Sequence, residues 1–144
     1  MPAIYINSLL ATTNDNPAVE ADGVRRSINR GRVRLADIPR AGGSTWQSRI
    51  YTGLIERATV RRQHRAFHPD GGQELRDLNG VLSIRRTTLD DTETVRVLCN
   101  LTDRDQMIEI DTPSRCLLDG TRAVETVTLG PYKTAWLVAD PAQV

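Results

Sequence analysis

The spacing of the apolar residues changes near residue 70, and this change divides the chain into two parts. Pro2 to Leu10 form an almost continuous apolar run, which is typical of a strand buried on both faces. A polar stretch from Asn14 to Arg30 follows, and beyond residue 70 the apolar positions alternate with a period of two. We therefore predict a strand, loop and helix in residues 1–69 and an all-β domain in residues 70–144.

The clearest helix signal begins at Ser44, a favourable N-cap residue with Gln47 three positions later as its capping-box partner. Apolar residues recur at intervals of four over the next turns, which predicts a helix from about Thr45 to about Arg65 with one face packed in a core. Four aromatic side chains are spaced as core residues. They are Tyr5, Trp46, Phe67 and Trp136.

The second part predicts an antiparallel sheet or small sandwich of about six short strands. The pair Asp119-Gly120 is a strong signal for a two-residue hairpin turn. The run from Thr134 to Ala139 is apolar on both faces, which predicts a central strand. The other predicted strands cover 81–87, 95–101, 107–111, 115–118 and 121–129.

The charge balance argues against a nucleic-acid partner. The chain carries a net charge of +1, whereas the domains that bind nucleic acid are strongly basic. A basic cluster at the end of the predicted helix keeps a nucleic-acid binder as a third hypothesis, but the apolar stripe favours a solvated charged face. The cluster comprises Arg57, Arg61, Arg62, His64 and Arg65, and His68 is interpreted with His64 as a capping or surface group.

Cysteine usage and hydropathy suggest a cytoplasmic protein without a membrane partner. Cys99 and Cys116 lie among strand-like apolar residues, which favours buried free thiols over a disulfide or a metal site. No apolar run is long enough to span a bilayer, and no secretory signal opens the sequence. We expect neither a metal nor a cofactor.

The polar stretch from Asn14 to Arg30 gathers the groups best suited to binding a polar ligand. A buried strand that leads into a long polar loop is the arrangement in which barrel enzymes build their sites. A solvated, arginine-rich surface loop explains the same residues. On the residues alone both interpretations stay open.

Four stretches of the chain carry a family resemblance. They are Pro2-Ala-Ile-Tyr-Ile-Asn-Ser-Leu-Leu10, Arg26-Ser-Ile-Asn-Arg30 placed after Asn14-Asp15, Arg62-Gln-His-Arg-Ala-Phe-His-Pro69, and Leu129-Gly-Pro-Tyr-Lys-Thr-Ala-Trp-Leu137. In this order they resemble the end of an alpha-amylase superfamily enzyme, within the sucrose phosphorylase and glucosylglycerate phosphorylase branch. The first looks like the eighth strand of the catalytic barrel, and the last is similar to the final strand of the C-terminal β domain.

The resemblance implies an α+β fragment, in which the last β/α unit of a TIM barrel precedes an antiparallel, sandwich-like C-terminal β domain. It also implies a parent that transfers glucose with retention between an α-glucoside and inorganic phosphate. Such chemistry needs a nucleophilic carboxylate and a carboxylic acid about 5 Å apart, and in the family both lie on earlier barrel strands. No acid in residues 1–69 matches those motifs, so we expect no catalytic residue here and an inactive isolated chain.

The resemblance further implies a share of the sugar pocket for the polar loop. Arg26 corresponds to the family arginine that pairs with a pocket aspartate and holds glucose hydroxyls. Arg30 would lie nearby, as a structural residue or as a partner on the phosphate side. Asn14 and Asp15 would shape the mouth of the loop, although an Asx-type turn that only fixes the backbone explains them equally. The implied partners are the sugar and phosphate in the full-length parent and, if the gene is split, the missing N-terminal barrel.

A non-catalytic carbohydrate-binding or interaction module formed by the β domain is the alternative. Such a module would expose aromatic side chains on one face of a sheet. The chain has two Trp, three Tyr and one Phe, and this small number argues against the alternative.

Overall fold

The computed structural model describes residues 3–140, and the chain divides into two compact units. We call Met1–Ala58 the N-terminal unit and Thr59–Val144 the β unit. The boundary falls inside the long helix rather than between residues 69 and 70, because the last helical residues are bonded to the β unit. Arg61, for example, donates to the carbonyl of Phe67 at 3.1 Å.

The helices precede the strands along the chain. The α-helices are α1 (Ile6–Leu9), α2 (Asn16–Asp22) and α3 (Trp46–Gln63), and short 3-10 helices cover Arg25–Asn29, Leu35–Asp37 and Arg65–Phe67. The strands are β1 (Gly72–Asp77), β2 (Val81–Thr87), β3 (Thr94–Asn100), β4 (Gln106–Glu109), β5 (Ser114–Cys116), β6 (Arg122–Ala123), β7 (Thr126–Leu129) and β8 (Thr134–Ala139).

The strand predicted over residues 2–10 is wrong. Pro2 lies outside the described residues, and Ile6–Leu9 forms one helical turn whose residues are not buried. A strand buried on both faces needs neighbouring strands, and residues 3–58 contain none. The backbone groups therefore bond locally, as when the amide of Leu10 donates to the carbonyl of Ile6 at 2.9 Å.

The predicted helix is confirmed as α3, but its cap and its burial differ from expectation. The Oγ1 atom of Thr45, not Ser44, accepts from the amide of Ser48 at 3.1 Å. Ser48 is the buried residue of this helix, and the supposed core residue Trp46 is 45% exposed. Tyr5, also expected in a core, is 50% exposed, whereas Phe67 is buried and Trp136 is half-buried.

The β unit contains the predicted antiparallel architecture, with eight strands among the described residues instead of about six. Six strands form one sheet in the order β1-β2-β3-β8-β5-β6, and β4 and β7 form a second sheet. β8 lies between β3 and β5, which confirms the predicted central strand. All strand pairs are antiparallel.

Two hairpins differ from the sequence-based prediction. β1 was not predicted because its six residues are all exposed, so it lacks the alternation that marks a strand with one buried face. The sequence feature that marks the β1–β2 hairpin is the pair Asn79-Gly80, which forms the turn with φ of 57° and 92°. Asp119-Gly120 closes a longer turn instead of a two-residue one, because the amide of Cys116 donates to the carbonyl of Thr121.

Two apolar clusters hold the β unit together, one on each face of the large sheet. Ile108 of β4 and Leu129 of β7 cover the first face, where they pack with Val81, Leu98 and Leu137. Phe67 and Ala66 cover the opposite face, on Val95 and Val97. Cys116 is buried and Cys99 partly buried, and both are free thiols as predicted.

Candidate functional site

The predicted ligand loop, residues 14–30, is not a long irregular loop. It contains α2 and the 3-10 helix Arg25–Asn29, and Gly23 joins them in a left-handed conformation with φ of 67°. The amide of Asp15 donates to the carbonyl of Ile28 at 2.7 Å, which closes the segment. The Asn29 carbonyl accepts from the Tyr5 hydroxyl at 2.9 Å and from Asn7 Nδ2 at 2.8 Å, so its end is anchored beside α1.

Asp15 has a defined structural role at the start of α2. Its Oδ1 atom accepts from the amide of Ala18 at 3.1 Å, so Asp15 is the N-cap of this helix. This hydrogen bond matches the backbone-fixing interpretation of Asp15. Asn14, immediately before it, is exposed.

Arg26 and Arg30 lie on the exposed surface of the same segment. Within residues 3–140, neither guanidinium has an ion pair or a side-chain hydrogen bond. Asp22, the nearest preceding acid, accepts instead from the hydroxyl of Ser27 at 2.6 Å and from the amide of Val24 at 2.8 Å. These two hydrogen bonds hold the pKa of the Asp22 carboxyl below its usual value.

A cavity of about 340 Å³ in the N-terminal unit brings Asn14 and Asp15 together but does not include Arg26 or Arg30. Further polar side chains that line it are Thr12, Thr13, Arg32, Asp37 and Gln47. Arg32 closely follows the arginine-rich stretch and could have been suspected from that position. The sequence pattern marks Gln47 only as a capping residue and does not single out Asp37. Carboxylate, amide and guanidinium groups around one cavity can bind the hydroxyl groups of a polar ligand.

Three basic residues at the end of α3 make contacts within the β unit, namely Arg61, His64 and Arg65. Arg62 is exposed, as a solvated face predicts. His64 Nδ1 lies 2.5 Å from Glu93 Oε1, and Arg65 forms an ion pair with Asp90 at 3.0 Å. The second oxygen of Glu93 accepts from the amide of Ala66 at 2.9 Å. The contacts with Asp90 and Glu93 attach the turn after α3 to the connection between β2 and β3. The hydrogen bond from Arg61 to the Phe67 carbonyl fixes the turn itself.

Two carboxylates in this cluster have lowered pKa values. Burial raises the pKa of Glu93, but the hydrogen bonds from His64 and the Ala66 amide outweigh it and hold the pKa below its usual value. Hydrogen bonds from Thr92 and Thr88 lower the pKa of Asp90 well below its ordinary range. Both groups are therefore ionised at neutral pH, as their structural role requires.

Neither a metal site nor a membrane-spanning helix is found in the described part of the chain. Residues 3–140 contain no group of three or more His, Cys, Asp or Glu side chains arranged to hold a metal ion. None of their helices combines the length and apolar character needed to cross a membrane.

By structure, the chain is similar to alpha-amylase family enzymes. An alpha-amylase from Anoxybacillus matches with a TM-score of 0.62 and 17% identity over 81% of this chain and 26% of that one. A maltogenic amylase from S. marinus matches with a TM-score of 0.60 and 16% identity over 83% of this chain and 16% of that one. The fold is therefore the mostly antiparallel β architecture of the C-terminal β domain of alpha-amylase family enzymes.

By sequence, the chain is similar to glucosylglycerate phosphorylases. That of Escherichia coli strain K12 is 31% identical over 142 residues, which are 95% of this chain and 25% of that protein. That of Allomeiothermus silvanus is 29% identical over 140 residues, 96% of this chain and 24% of that protein. No protein-family profile matches the chain. The homologues of this chain are thus glucosylglycerate phosphorylases, and the chain spans about a quarter of their length.

Proposed function

We propose that the chain is the C-terminal part of a glycoside phosphorylase that transfers glucose with retention between an α-glucoside and inorganic phosphate. The observation that carries the proposal is the similarity to glucosylglycerate phosphorylases over 95% of the chain. On the basis of the resemblance, sucrose and glucosylglycerate are the two glucosyl donors to test first. Fold alone would not support this proposal, because one fold serves many activities.

In this proposal Arg26 binds a pocket carboxylate and glucose hydroxyls at once, which the planar fork of a guanidinium permits. Its support is local: the Arg26 side chain is exposed, and within residues 3–140 it has no partner that would have to be displaced. The hydrogen bonds from Tyr5, Asn7 and Asp15 would position the backbone of Arg25–Asn29. Arg30 and Asn14 would contact the ligand from the same segment.

The catalytic carboxylates of the proposed reaction would lie outside this chain, so the isolated chain would be inactive. The N-terminal unit exposes apolar side chains that a larger fold would cover, such as Ile6, Trp46 and Ile50. We propose that the remainder of a catalytic barrel covers them, whether in the same polypeptide or as a separate one.

The direct test is phosphorolysis by the purified chain. With sucrose or glucosylglycerate and inorganic phosphate, we expect no glucose 1-phosphate above the rate without protein. A chain that forms glucose 1-phosphate at an enzyme-like rate would disprove the proposal that the carboxylates lie elsewhere.

A chimaera tests the proposed parent activity. The matching quarter of the Escherichia coli glucosylglycerate phosphorylase is replaced by this chain, and phosphorolysis is measured. We expect an active chimaera in which Arg26→Ala lowers kcat/KM by about a hundredfold or more, because a charged hydrogen-bond partner is left unpaired. Arg25→Ala, which removes a neighbouring exposed arginine, should change kcat/KM less than threefold. Equal losses in the two variants would exclude the role of Arg26.

The alternative of a carbohydrate-binding β module has less support. In the β unit Phe67 is buried and Trp136 half-buried, which leaves Tyr132 as the exposed aromatic residue. A cytoplasmic location belongs to the proposal as well, and fractionation of the native cells would test it.

A further inference from the structure

The β unit has an open cavity of about 450 Å³ on one face of its large sheet. This face carries the apolar cluster under β4 and β7 at one end and polar residues at the other end. Arg76, Arg85 and Arg96 line the polar end, together with Glu74 and Asp111. The cavity is separate from the segment to which the sugar site is assigned and lies within the β unit alone.

The strand register places two of these arginines directly opposite each other. Arg85 of β2 pairs with Arg96 of β3 in an antiparallel register, so both side chains lie on the cavity face. Like charges at directly opposite positions destabilise a sheet. A neutral pair at these two positions would avoid this repulsion, and so would an anion bound between the two guanidinium groups.

The carboxylates around the pair do not neutralise it. Glu74 is the neighbour of Arg85 on the other side, but its carboxylate is ion-paired with Arg76. Asp111 has no ion pair among the described residues. Arg96 donates to the hydroxyl of Ser83 at 3.2 Å and to the carbonyl of Glu109 at 3.5 Å. The Arg85 guanidinium has no hydrogen bond or ion pair within residues 3–140.

The rest of the lining suits an oxyanion. Ser83, Ser114, Thr94 and Thr112 line the same cavity. The Ser114 hydroxyl donates to the Thr112 carbonyl at 2.8 Å, and the Thr94 hydroxyl is hydrogen-bonded to that of Thr87. The donors left for a phosphate or carboxylate oxygen are therefore the guanidinium N–H groups and the hydroxyls of Ser83 and Thr112. The volume falls in the range of small-molecule sites rather than of flat protein interfaces.

We propose that this cavity binds the oxyanion group, phosphate or carboxylate, of a small polar molecule between Arg85 and Arg96. The bound group accepts hydrogen bonds from both guanidinium groups and removes their mutual repulsion. Ser83 positions Arg96 for this contact. The site is independent of the proposed phosphorylase activity, because it requires no residue outside the β unit.

The test is a titration of the full isotope-labelled chain followed by NMR. Inorganic phosphate, glucose 1-phosphate and glycerate are the probes, and glucose is the uncharged control. We expect saturable shifts of the Arg85 and Arg96 Nε–H signals and of the Ser83 and Ser114 amides with at least one anionic probe, and none with glucose. Tighter binding of glucose 1-phosphate than of phosphate would show that a phosphorylated sugar is the preferred form, and tighter binding of glycerate would indicate a carboxylate.

Matched variants separate binding from folding. Arg85→Gln should weaken binding about tenfold or more, because it removes a charged hydrogen-bond donor, and should leave Tm unchanged or raised. Arg115→Gln removes the same charge from the opposite face of the sheet, since Arg115 pairs with Val138 there, and should leave binding unchanged.

Three results would overturn the proposal. They are the absence of saturable shifts with all three anionic probes at tens of millimolar, an equal loss of affinity in the Arg85→Gln and Arg115→Gln variants, and a lowered Tm for Arg85→Gln with unchanged affinity. The last result would make Arg85 a structural residue.

Discussion

The two units of the chain differ most in how far each buries its own apolar residues. In the N-terminal unit, Leu10, Ala11 and Ser48 are the buried residues among those described. The β unit has two apolar clusters, one on each face of its sheet. Large apolar side chains exposed in the N-terminal unit are Ile4, Tyr5, Ile6, Val24, Leu35, Ile38, Trp46, Ile50 and Ile55.

The difference shows that an apolar pattern predicts which residues need burial, but it does not predict whether the same unit buries them. In the β unit each strand finds a partner within the same unit. In the N-terminal unit, hydrogen bonds between nearby residues and a few longer ones, such as that from Tyr5 to Asn29, are what hold the short helices. Because the hydrophobic effect is the dominant favourable contribution to folding, the two units should differ strongly in stability.

Hydrogen exchange should show the largest effect. We expect the amides of β3 and β8 to exchange only through global unfolding, which costs about 5–15 kcal/mol in ordinary domains. The amides of α1 and α2 should exchange with protection of about 1–2 kcal/mol or less, because few buried contacts resist local opening. Equal protection of the amides in α2 and β3 would contradict this prediction, because it would show that the N-terminal unit is stable despite its few buried residues.

Asn100→Ala should give the largest effect of a single substitution. Asn100 is 2% exposed, and its Nδ2 atom donates to the carbonyls of Arg104, Leu129 and Gly130. Alanine leaves these carbonyls without their partner, which should cost about 3 kcal/mol in the free energy of unfolding. Denaturant titration measures this change.

Asn7→Ala is the matched control in the other unit. It removes the same type of side chain, whose Nδ2 donates to the Asn29 carbonyl. We expect no change in the global unfolding transition beyond about 0.5 kcal/mol. A loss as large as that of Asn100→Ala would mean that the two units unfold as one.

Glu93→Gln should lower the stability of the β unit by about 1.5 kcal/mol at neutral pH, since the bond to His64 loses its charge. The direction in which stability changes with pH follows from the lowered pKa of Glu93. Its ionised form stabilises the fold above the ordinary pKa of 4.5, and this contribution is lost as the pH falls through the lower folded-state value. The loss of stability on acidification should therefore be smaller in the variant. Glu125→Gln, an exposed carboxylate of the same unit, should behave like the wild type.

Asp15→Ala should have the smallest and most local effect. Loss of the N-cap should destabilise α2 by about 1 kcal/mol, seen as faster exchange of the amides in Asn16–Asp22. The Tm of the β unit should not change. Asp37→Ala, which removes another acid of the N-terminal unit, should leave α2 unaffected, and a drop in Tm with Asp15→Ala would contradict the separation of the units.

The sequence predicted helices and strands well where the apolar periodicity and a nearby capping or turn residue were sufficient to locate them. The predicted 81–87 and 134–139 strands coincide with β2 and β8, and the predicted helix contains α3. The chemical types in the candidate sugar site, Arg26 and Arg30 with Asn14 and Asp15, could be named from the sequence through the family resemblance. Their contact with a sugar stays a prediction.

By itself, then, the sequence determined the antiparallel β unit and the free thiols, because these depend on local periodicity and residue type. The class of protein came from the sequence through the resemblance of its motifs to a known family.

Only the tertiary structure decided that the apolar run before Leu10 contains a helical turn and that Asp15 caps α2. The same structure decided that His64 and Arg65 bond to the connection between β2 and β3. It also decided that Arg85 and Arg96 lie opposite each other. The ion pairs and the strand register depend on which distant segment supplies a partner, and periodicity along one segment does not specify that partner. The helical turn before Leu10 forms because no described strand pairs with this segment, so its backbone groups bond locally.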